Sequence, residues 1–406
     1  MQRHIPMTAS WPQQGIEFVL PASWPQQGIE FVLPASGWQG FTPAPLPVAD
    51  DSVMAFCAAL SQRLLAQGSA WPDLVALGFW LRPAALRAHL PAYASRSPLG
   101  LTLHLVPSNV PTLGVFSWLM ALLAGNSAIV RLSRRQDPVQ QQLLAVCADL
   151  LAKPEWQAIA ARVRFIRYGH DEAITAALSA QCDLRVVWGG DATVTAIRAI
   201  ALPPRGRELV FPDRRSLALL DASAWLALDD ARRQRQQAAL AQDISQFNQQ
   251  ACASPTTLVW LGDWPAPARE ALLAALAAPF AQDPANGMER LVNSQLALAS
   301  GEVLAQTAVG SLSLLQPGGV QTQIATGGGV LLERHYADVP SWLAAGDQVQ
   351  TCVCVGIAPA AVAAWLRQYP DTRIDRLVVP GQALAFDWFW DGQDLLAQMS
   401  RQTRVG

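Results

Sequence analysis

Six cysteines, at positions 57, 147, 182, 252, 352 and 354, are the best nucleophiles the chain offers. Their surroundings separate them. Cys252 closes the segment Phe247-Asn248-Gln249-Gln250-Ala251-Cys252 and precedes Ala253-Ser254-Pro255, on a turn between a polar helix and an apolar strand. A sulfur on that rigid edge faces a cleft, and a thiolate is strongly nucleophilic even at modest ionised fraction. Cys57 and Cys147 lie in apolar helical patterns, and Cys352 and Cys354 alternate with valines, so these four read as buried structural thiols. Val106-Pro107-Ser108-Asn109-Val110-Pro111 pins an asparagine between two prolines at a strand end. There its amide either stabilises a turn or donates to a developing oxyanion. Arg131, Ser133, Arg134 and Arg135 follow one another at the end of an apolar strand. They suit a ribose and phosphate, or else face solvent. Trp188-Gly189-Gly190-Asp191 opens a helix, where glycines let a backbone approach a pyrophosphate or simply make a tight turn. Gly327-Gly328-Gly329 reads as a hairpin turn, and His104 and His335 as structural residues of strand-like runs.

The elements that carry these residues alternate. Strands over 101–106, 127–132, 163–168, 184–188 and 216–220 are separated by helices over 115–124, 137–151 and 172–179 and by one starting at Asp191. This is the pattern of βαβ units around a parallel sheet. A polar helix over 229–246 leads to Cys252, and a strand over 256–261 opens a second α/β region with helices over 266–278 and 360–368. With 406 residues, two domains are expected. The reading is an N-terminal extension over 1–40, a nucleotide-binding domain over 41–245, a cysteine domain over 246–380 and a C-terminal segment over 381–406 that returns to the body. Residues 10–22 and 23–35 both read SWPQQGIEFVLPA. Two identical copies mark a recent duplication: one copy is expected as a strand along the body, the other as dispensable.

Composition narrows the function classes. Hydrophobic residues make up 51% and charged residues 15%, as in a well-buried globular protein. A net charge of −2 without a basic run argues against nucleic acid or an anionic membrane surface as partner. Lys153 is the only lysine, so no Walker-type phosphate loop exists and no other residue could form a Schiff base. The uncharged stretch 107–130 is broken by Pro111, Gly114, Gly125 and Asn126, so it reads as buried α/β structure instead of a membrane span. The absence of CxxC pairs, and an N-terminus without an apolar signal core, point to reduced thiols and a cytoplasmic setting.

Together the motifs resemble the aldehyde dehydrogenase superfamily, and within it the acyl-CoA reductase family of the LuxC type. FNQQAC resembles the superfamily's nucleophile segment, PSNVP its oxyanion-asparagine turn and GNSAIVRLS its cofactor strand. The run from Arg376-Leu-Val-Val-Pro-Gly-Gln through Phe389-Trp390-Asp391-Gly392 to Met399-Ser400-Arg401 is similar to the reductase family in particular. The resemblance covers residues 97–406. It implies a Rossmann-type nucleotide-binding domain beside a second α/β catalytic domain, with Cys252 as nucleophile and Asn109 and the Cys252 N–H as oxyanion donors. It also implies cofactor contacts at Arg131, Ser133, Arg134, Gly189 and Gly190. Arg134 stands where NAD-preferring members often carry a glutamate, so NADPH is the expected cofactor. The segment that supplies the water-activating glutamate of hydrolytic members corresponds here to Glu208-Leu209-Val210-Phe211-Pro212-Asp213, without their two glycines.

The expected reaction is therefore reduction of an acyl thioester, delivered on CoA or a carrier protein, to an aldehyde through a Cys252 acyl-enzyme. A homo-oligomer working with an acyl-activating synthetase or carrier protein is implied, and no metal. Three alternatives stand beside it. The first is an aldehyde dehydrogenase running to the free acid. The second is a cofactor-free cysteine hydrolase or acyltransferase, which needs a histidine beside Cys252. The third is a catalytically silent subunit of an acyl-transfer complex.

Overall fold

The structure, a computed structural model, describes residues 24–25, 27–281, 284–322, 324–325 and 327–404. Among these, two main sheets organise the chain. The first has six strands in the order Glu30–Leu33, Val163–Arg167, Ser127–Leu132, Leu101–Leu105, Leu184–Trp188, Arg207–Phe211. All pair in parallel except the edge strand Glu30–Leu33, which is antiparallel to Val163–Arg167. Three of the inner strands, Leu101–Leu105, Val163–Arg167 and Leu184–Trp188, are buried at every residue, as a sheet covered on both faces requires. Chain order outward from Leu101–Leu105 runs one way to 127–132 and 163–167 and the other way to 184–188 and 207–211. The reversal lies between Leu101–Leu105 and Leu184–Trp188. Ligands of open α/β sheets bind beyond the strand ends at such a switch.

The uncharged stretch resolves as expected: a turn, the helix Leu113–Leu123, and the strand Ser127–Leu132. Gly125 ends the helix at φ 82°, and a side chain there would meet the Leu46 carbonyl oxygen at 2.2 Å. Asn126 then accepts from the Leu99 and Gly100 N–H groups at 2.8 and 3.0 Å and donates to the Met399 carbonyl at 2.7 Å. One side chain thus fixes the start of the central strand and ties the C-terminal segment to the first core, which Leu395, Leu396 and Met399 complete. No helix among the described residues is long and apolar enough to cross a membrane.

The second sheet has seven strands in the order Val303–Val309, Leu312–Pro317, Val330–Tyr336, Pro255–Leu261, Ser216–Asp221, Gln348–Val355, Arg373–Val378. Ser216–Asp221, expected in the first domain, belongs here, paired with Pro255–Leu261 and Gln348–Val355. The chain therefore changes sheets between Phe211 and Ser216, earlier than the boundary near 245. Pattern alone could not reveal this, because a buried parallel strand looks the same in either sheet. Arg207–Phe211, read from sequence only as a possible glutamate segment, is the last strand of the first sheet.

Two further readings change. Leu312–Pro317 and Val330–Tyr336 are parallel neighbours, so the glycine run between them is no hairpin. Instead, a side chain on Gly328 would meet the Asn286 oxygen at 2.6 Å and the Arg290 nitrogen at 2.8 Å, so the run is there for close approach to the helix Pro284–Ala299. Of the duplicated segment, the first copy lies outside the described residues. The second supplies the edge strand Glu30–Leu33 and buries Trp24 against Trp38 and Phe41.

Candidate active site

The polar helix Asp230–Ser245 stops at Gln246, and the backbone then turns left-handed at Phe247, Asn248 and Gln249, with φ of 54°, 51° and 63°. Three successive non-glycine residues in that region are costly and persist only where their surroundings hold them. Here each polar side chain does so. Asn248 donates to Glu289 and accepts from the Gly328 N–H at 3.1 Å. Gln249 donates to the Pro255 and Val330 carbonyls at 3.2 and 2.9 Å, and Gln250 to Glu289 at 3.2 Å. Past this knot, the Cys252 carbonyl accepts from Ser216 Oγ at 2.7 Å, and the same hydroxyl accepts from the Thr351 N–H at 3.2 Å. The Cys252 loop is therefore tied to four strands of the second sheet.

All six cysteines are described, and Cys252 alone among them is not fully buried. Burial pushes the Cys57, Cys147 and Cys182 thiols up to about 12, which suits inert core residues. Cys252 faces a cleft of about 350 Å³ between the two sheets. Apolar walls come from Leu113, Phe116, Phe211, Leu384, Phe386 and Trp390, and the polar lining includes Asn109, Asp213, Arg214 and Asp391. Gly189 and Gly190 line it too. The cleft thus brings together Cys252, Asn109 and both glycines. Asn109 Nδ2 donates to the Gln250 carbonyl at 2.8 Å, which leaves the amide a second N–H beside the nucleophile loop.

Arg131, Ser133 and Arg134 do not line this cleft. They sit past it, at the end of Ser127–Leu132. Arg131 donates to the Tyr168 carbonyl at 3.2 Å, Ser133 Oγ accepts from the Arg135 N–H at 3.2 Å, and the Arg134 guanidinium lies about Gly169, at the end of the neighbouring strand. Burial pushes Arg131 down, Tyr168 opposes this and the Arg134 charge adds to it. Neither Arg131 nor Arg134 forms an ion pair with a carboxylate among the described residues. Two like charges left together at a strand end fit an anionic group. The glycine turn fits one less well. Asp213 accepts from the Asp191 N–H at 2.9 Å, and Asp191 accepts from the Asp213 N–H at 3.1 Å. The first turn of the helix Asp191–Arg198 thus already holds a carboxylate, which a pyrophosphate would have to displace. Gly190 leaves room for it, since a side chain there would lie 2.7 Å from Asp213.

Glu208 is no general base for this cleft. It is clamped by Arg185 at 2.6 Å and Arg198 at 2.9 Å on the outer strand and does not line the cavity. His104 is buried between Ser117 and Thr102 and pushed down to about 3 by burial, a neutral core residue.

Two residues that sequence reasoning left without a role stand beside the sulfur. Gln350 Nε2 donates to Cys252 Sγ at 3.2 Å and also to Asp391 Oδ1. Gln350 is a fully buried polar residue in the otherwise mostly apolar strand Gln348–Val355, and that misfit was its signal. Asp391 lies in Phe389-Trp390-Asp391-Gly392, a run that in sequence shows only similarity to the reductase family. That segment is a two-residue hairpin with φ of 49° at Asp391 and 68° at Gly392, the turn that Asp-Gly favours. Burial pushes the Cys252 thiol up, the Asp391 carboxylate adds to the rise, and the hydrogen bond from Gln350 opposes both.

The arrangement agrees with known proteins at two levels. The chain superposes on aldehyde dehydrogenases over most of its length. An indole-3-acetaldehyde dehydrogenase of P. syringae, solved with NAD+ and IAA, is 14% identical with a TM-score of 0.61 over 90% of this chain and 84% of its own. The aldehyde dehydrogenase of Mycobacterium tuberculosis complexed with NAD+ is 15% identical with a TM-score of 0.60 over 90% and 87%. These likenesses establish an aldehyde-dehydrogenase-like fold. In sequence, the long-chain acyl-protein thioester reductases of Aliivibrio fischeri and Vibrio harveyi are 27% and 30% identical over 173 and 174 residues. Each match covers 42% of this chain, and it spans only 34% of the length of either relative. A sequence model of the family described as acyl-CoA reductase (LuxC) matches residues 80–285, which include Asn109, the arginine strand, the glycine turn and Cys252. The chain belongs to the acyl-CoA reductase (LuxC) family.

Proposed function

We propose that this protein reduces an acyl thioester to an aldehyde through an acyl-enzyme on Cys252, with NADPH as the hydride source. The observation that carries the reading is the combination of a partly exposed cysteine in an apolar cleft with a Glu208 held elsewhere by two arginines. The Cys252 sulfur attacks the thioester carbon, the oxygen is held by the Asn109 amide and the Cys252 N–H, and the carrier thiol leaves. With no glutamate among the described residues lining the cleft to activate water, the enzyme thioester lasts long enough to be reduced. A bound nicotinamide would supply hydride. Arg131, Ser133 and Arg134 would hold its ribose 2′-phosphate, and Gly189 and Gly190 leave the cleft wall flat beside Cys252. Collapse of the thiohemiacetal releases aldehyde and regenerates the sulfur. The apolar lining suits an alkyl chain. The acyl group arrives on CoA or on a carrier protein, the form named for the matched reductases. A homo-oligomer in the cytoplasm, served by an acyl-activating partner, belongs to the same reading.

Turnover of acetyl-, octanoyl- and hexadecanoyl-CoA with NADPH tests it, with aldehyde and acid quantified separately. Aldehyde in equal amount to the NADPH consumed is expected. Free acid formed from added aldehyde, with no aldehyde from any thioester, would favour the oxidative alternative.

A further inference from the structure

Chemistry at Cys252 has a proton problem that Cys252 and Asn109 do not solve. Burial and the Asp391 carboxylate both favour the thiol form of Cys252. On acylation it must lose a proton, and the departing carrier sulfur must gain one. Asn109 is an amide and can do neither. Glu208 is engaged elsewhere, and no histidine among the described residues lines the cleft. Three carboxylates do: Asp73, Asp213 and Asp391. Asp213 is bound into the Asp191 turn and Asp73 accepts from Gln246, so Asp391 is the one linked to the sulfur, through the Gln350 amide.

We propose that Asp391 accepts the Cys252 proton during acylation and returns it to the leaving thiol, and that Gln350 is the positioning residue that keeps carboxyl and sulfur in register. The proposal rests on the acyl-thioester reading above. Its geometry is that of one amide nitrogen donating to both partners, to Cys252 Sγ at 3.2 Å and to Asp391 Oδ1. The other carboxyl oxygen, Oδ2, is buried and accepts no hydrogen bond among the described residues; its nearest charge is Arg214 Nε at 3.6 Å. Gln350 Oε1 is likewise buried without a partner. Turned over, the same amide would accept from a thiol S–H and a protonated carboxyl. The orientation shown, donating to both, fits the single proton on either partner, since a thiol sulfur and a carboxyl oxygen both still accept.

In the step itself the S–H bond of Cys252 breaks as its proton passes to Asp391, and sulfur bonds to the acyl carbon. The bond from that carbon to the carrier sulfur then breaks, the electron pair leaves with the carrier sulfur, and Asp391 returns the proton to it. Cysteine thiol and acyl thioester become enzyme thioester and free carrier thiol, with no redox change and no cofactor. Burial raises the Asp391 carboxyl toward the proton affinity that an exchange with sulfur needs. Gln350 and Arg214 oppose the rise and Asp375 adds to it. The charged groups facing the pair are Arg214, from the loop between the sheets, and Asp375 and Arg376, on the strand Arg373–Val378.

The test uses the full chain without nicotinamide. Asp391→Asn keeps an acceptor for Gln350 and tolerates the left-handed turn, but it cannot carry the proton. Two readouts are taken: release of CoA thiol from octanoyl-CoA, and the pH dependence of Cys252 alkylation by iodoacetamide, followed on the Cys252 peptide. Removing the negative neighbour should move alkylation to lower pH and speed it at neutral pH, while thiol release falls about 10²-fold, the usual scale for losing a general acid–base group. Gln350→Leu should move alkylation to higher pH and slow thiol release. Thiol release by Asp391→Asn equal to wild type would overturn the proposal. So would a parallel fall of both rates, which a merely structural role would give. If Asp391→Asn does not fold, an alkylation profile unmoved in Gln350→Leu would overturn it instead. Wild-type enzyme that releases no thiol from any thioester would remove the acyl-thioester reading, a result distinct from either.

Discussion

At the scale of single residues, the site is a division of labour among groups that each do one thing. Cys252→Ala removes the proposed nucleophile and nothing that holds the fold, because the loop is anchored by its neighbours' side chains and by the Cys252 carbonyl. It should lose acyl adduct and aldehyde completely and melt like wild type in a thermal scan. Asn109→Ala should slow thiol release about 10²–10³-fold, the cost of one oxyanion donor, with NADPH affinity unchanged by fluorescence titration. Loss of cofactor binding with an intact rate would reassign Asn109. Arg134→Glu places a carboxylate where two unpaired arginines now stand. It should cut kcat/KM for NADPH about ten- to a hundred-fold relative to NADH, as removal of one charge-assisted contact worth about 1.5–3 kcal/mol implies. Equal use of both cofactors before and after the substitution would end the case for a phosphate site. Cys252, Asn109 and the arginines could be picked out as candidates from the sequence because each sits in a local motif. Gln350 and Asp391 lie 98 and 139 residues beyond the cysteine, and only the second sheet and the C-terminal hairpin bring them to it.

At the scale of elements, the nucleophile loop pays for its left-handed backbone with contacts to the glycine run. Gly328 has φ of 64° and no room for a side chain. Gly328→Ala should destabilise the protein by about 1–3 kcal/mol and slow thiol release as the Asn248 anchor shifts; denaturant unfolding beside the rate assay checks both. Unaltered stability would mean that the loop is held some other way. The duplicated segment makes the opposite expectation. Deleting residues 23–35 would bring the identical copy up to Ser36, with Trp11 in the place of Trp24 and residues 17–20 in the place of Glu30–Leu33. Melting temperature and activity should stay at wild-type values; an insoluble product would mean that both copies are built in. The glycine run was misread from sequence because three glycines signal permissive backbone in a hairpin and in a close helix approach alike.

At the scale of the whole molecule, alternating strands and helices were enough to give two α/β halves and a parallel sheet, since periodicity survives without tertiary knowledge. The assignment of Ser216–Asp221 to the second sheet was not legible, because sheet membership depends on partners distant in sequence. That strand helps build the candidate site, since its Ser216 hydroxyl holds the Cys252 carbonyl. The architecture sets one cysteine in an apolar cleft, past which lies a strand end with two like charges, and the central claim is that an acyl group pauses on that cysteine. The direct test is intact-mass analysis of the protein after mixing with octanoyl-CoA, followed by NADPH. A single octanoyl adduct mapping to Cys252, stable without cofactor and discharged as one equivalent of aldehyde when NADPH is added, is the predicted result. Aldehyde formation with no adduct on Cys252, or an adduct that NADPH leaves untouched, would contradict it.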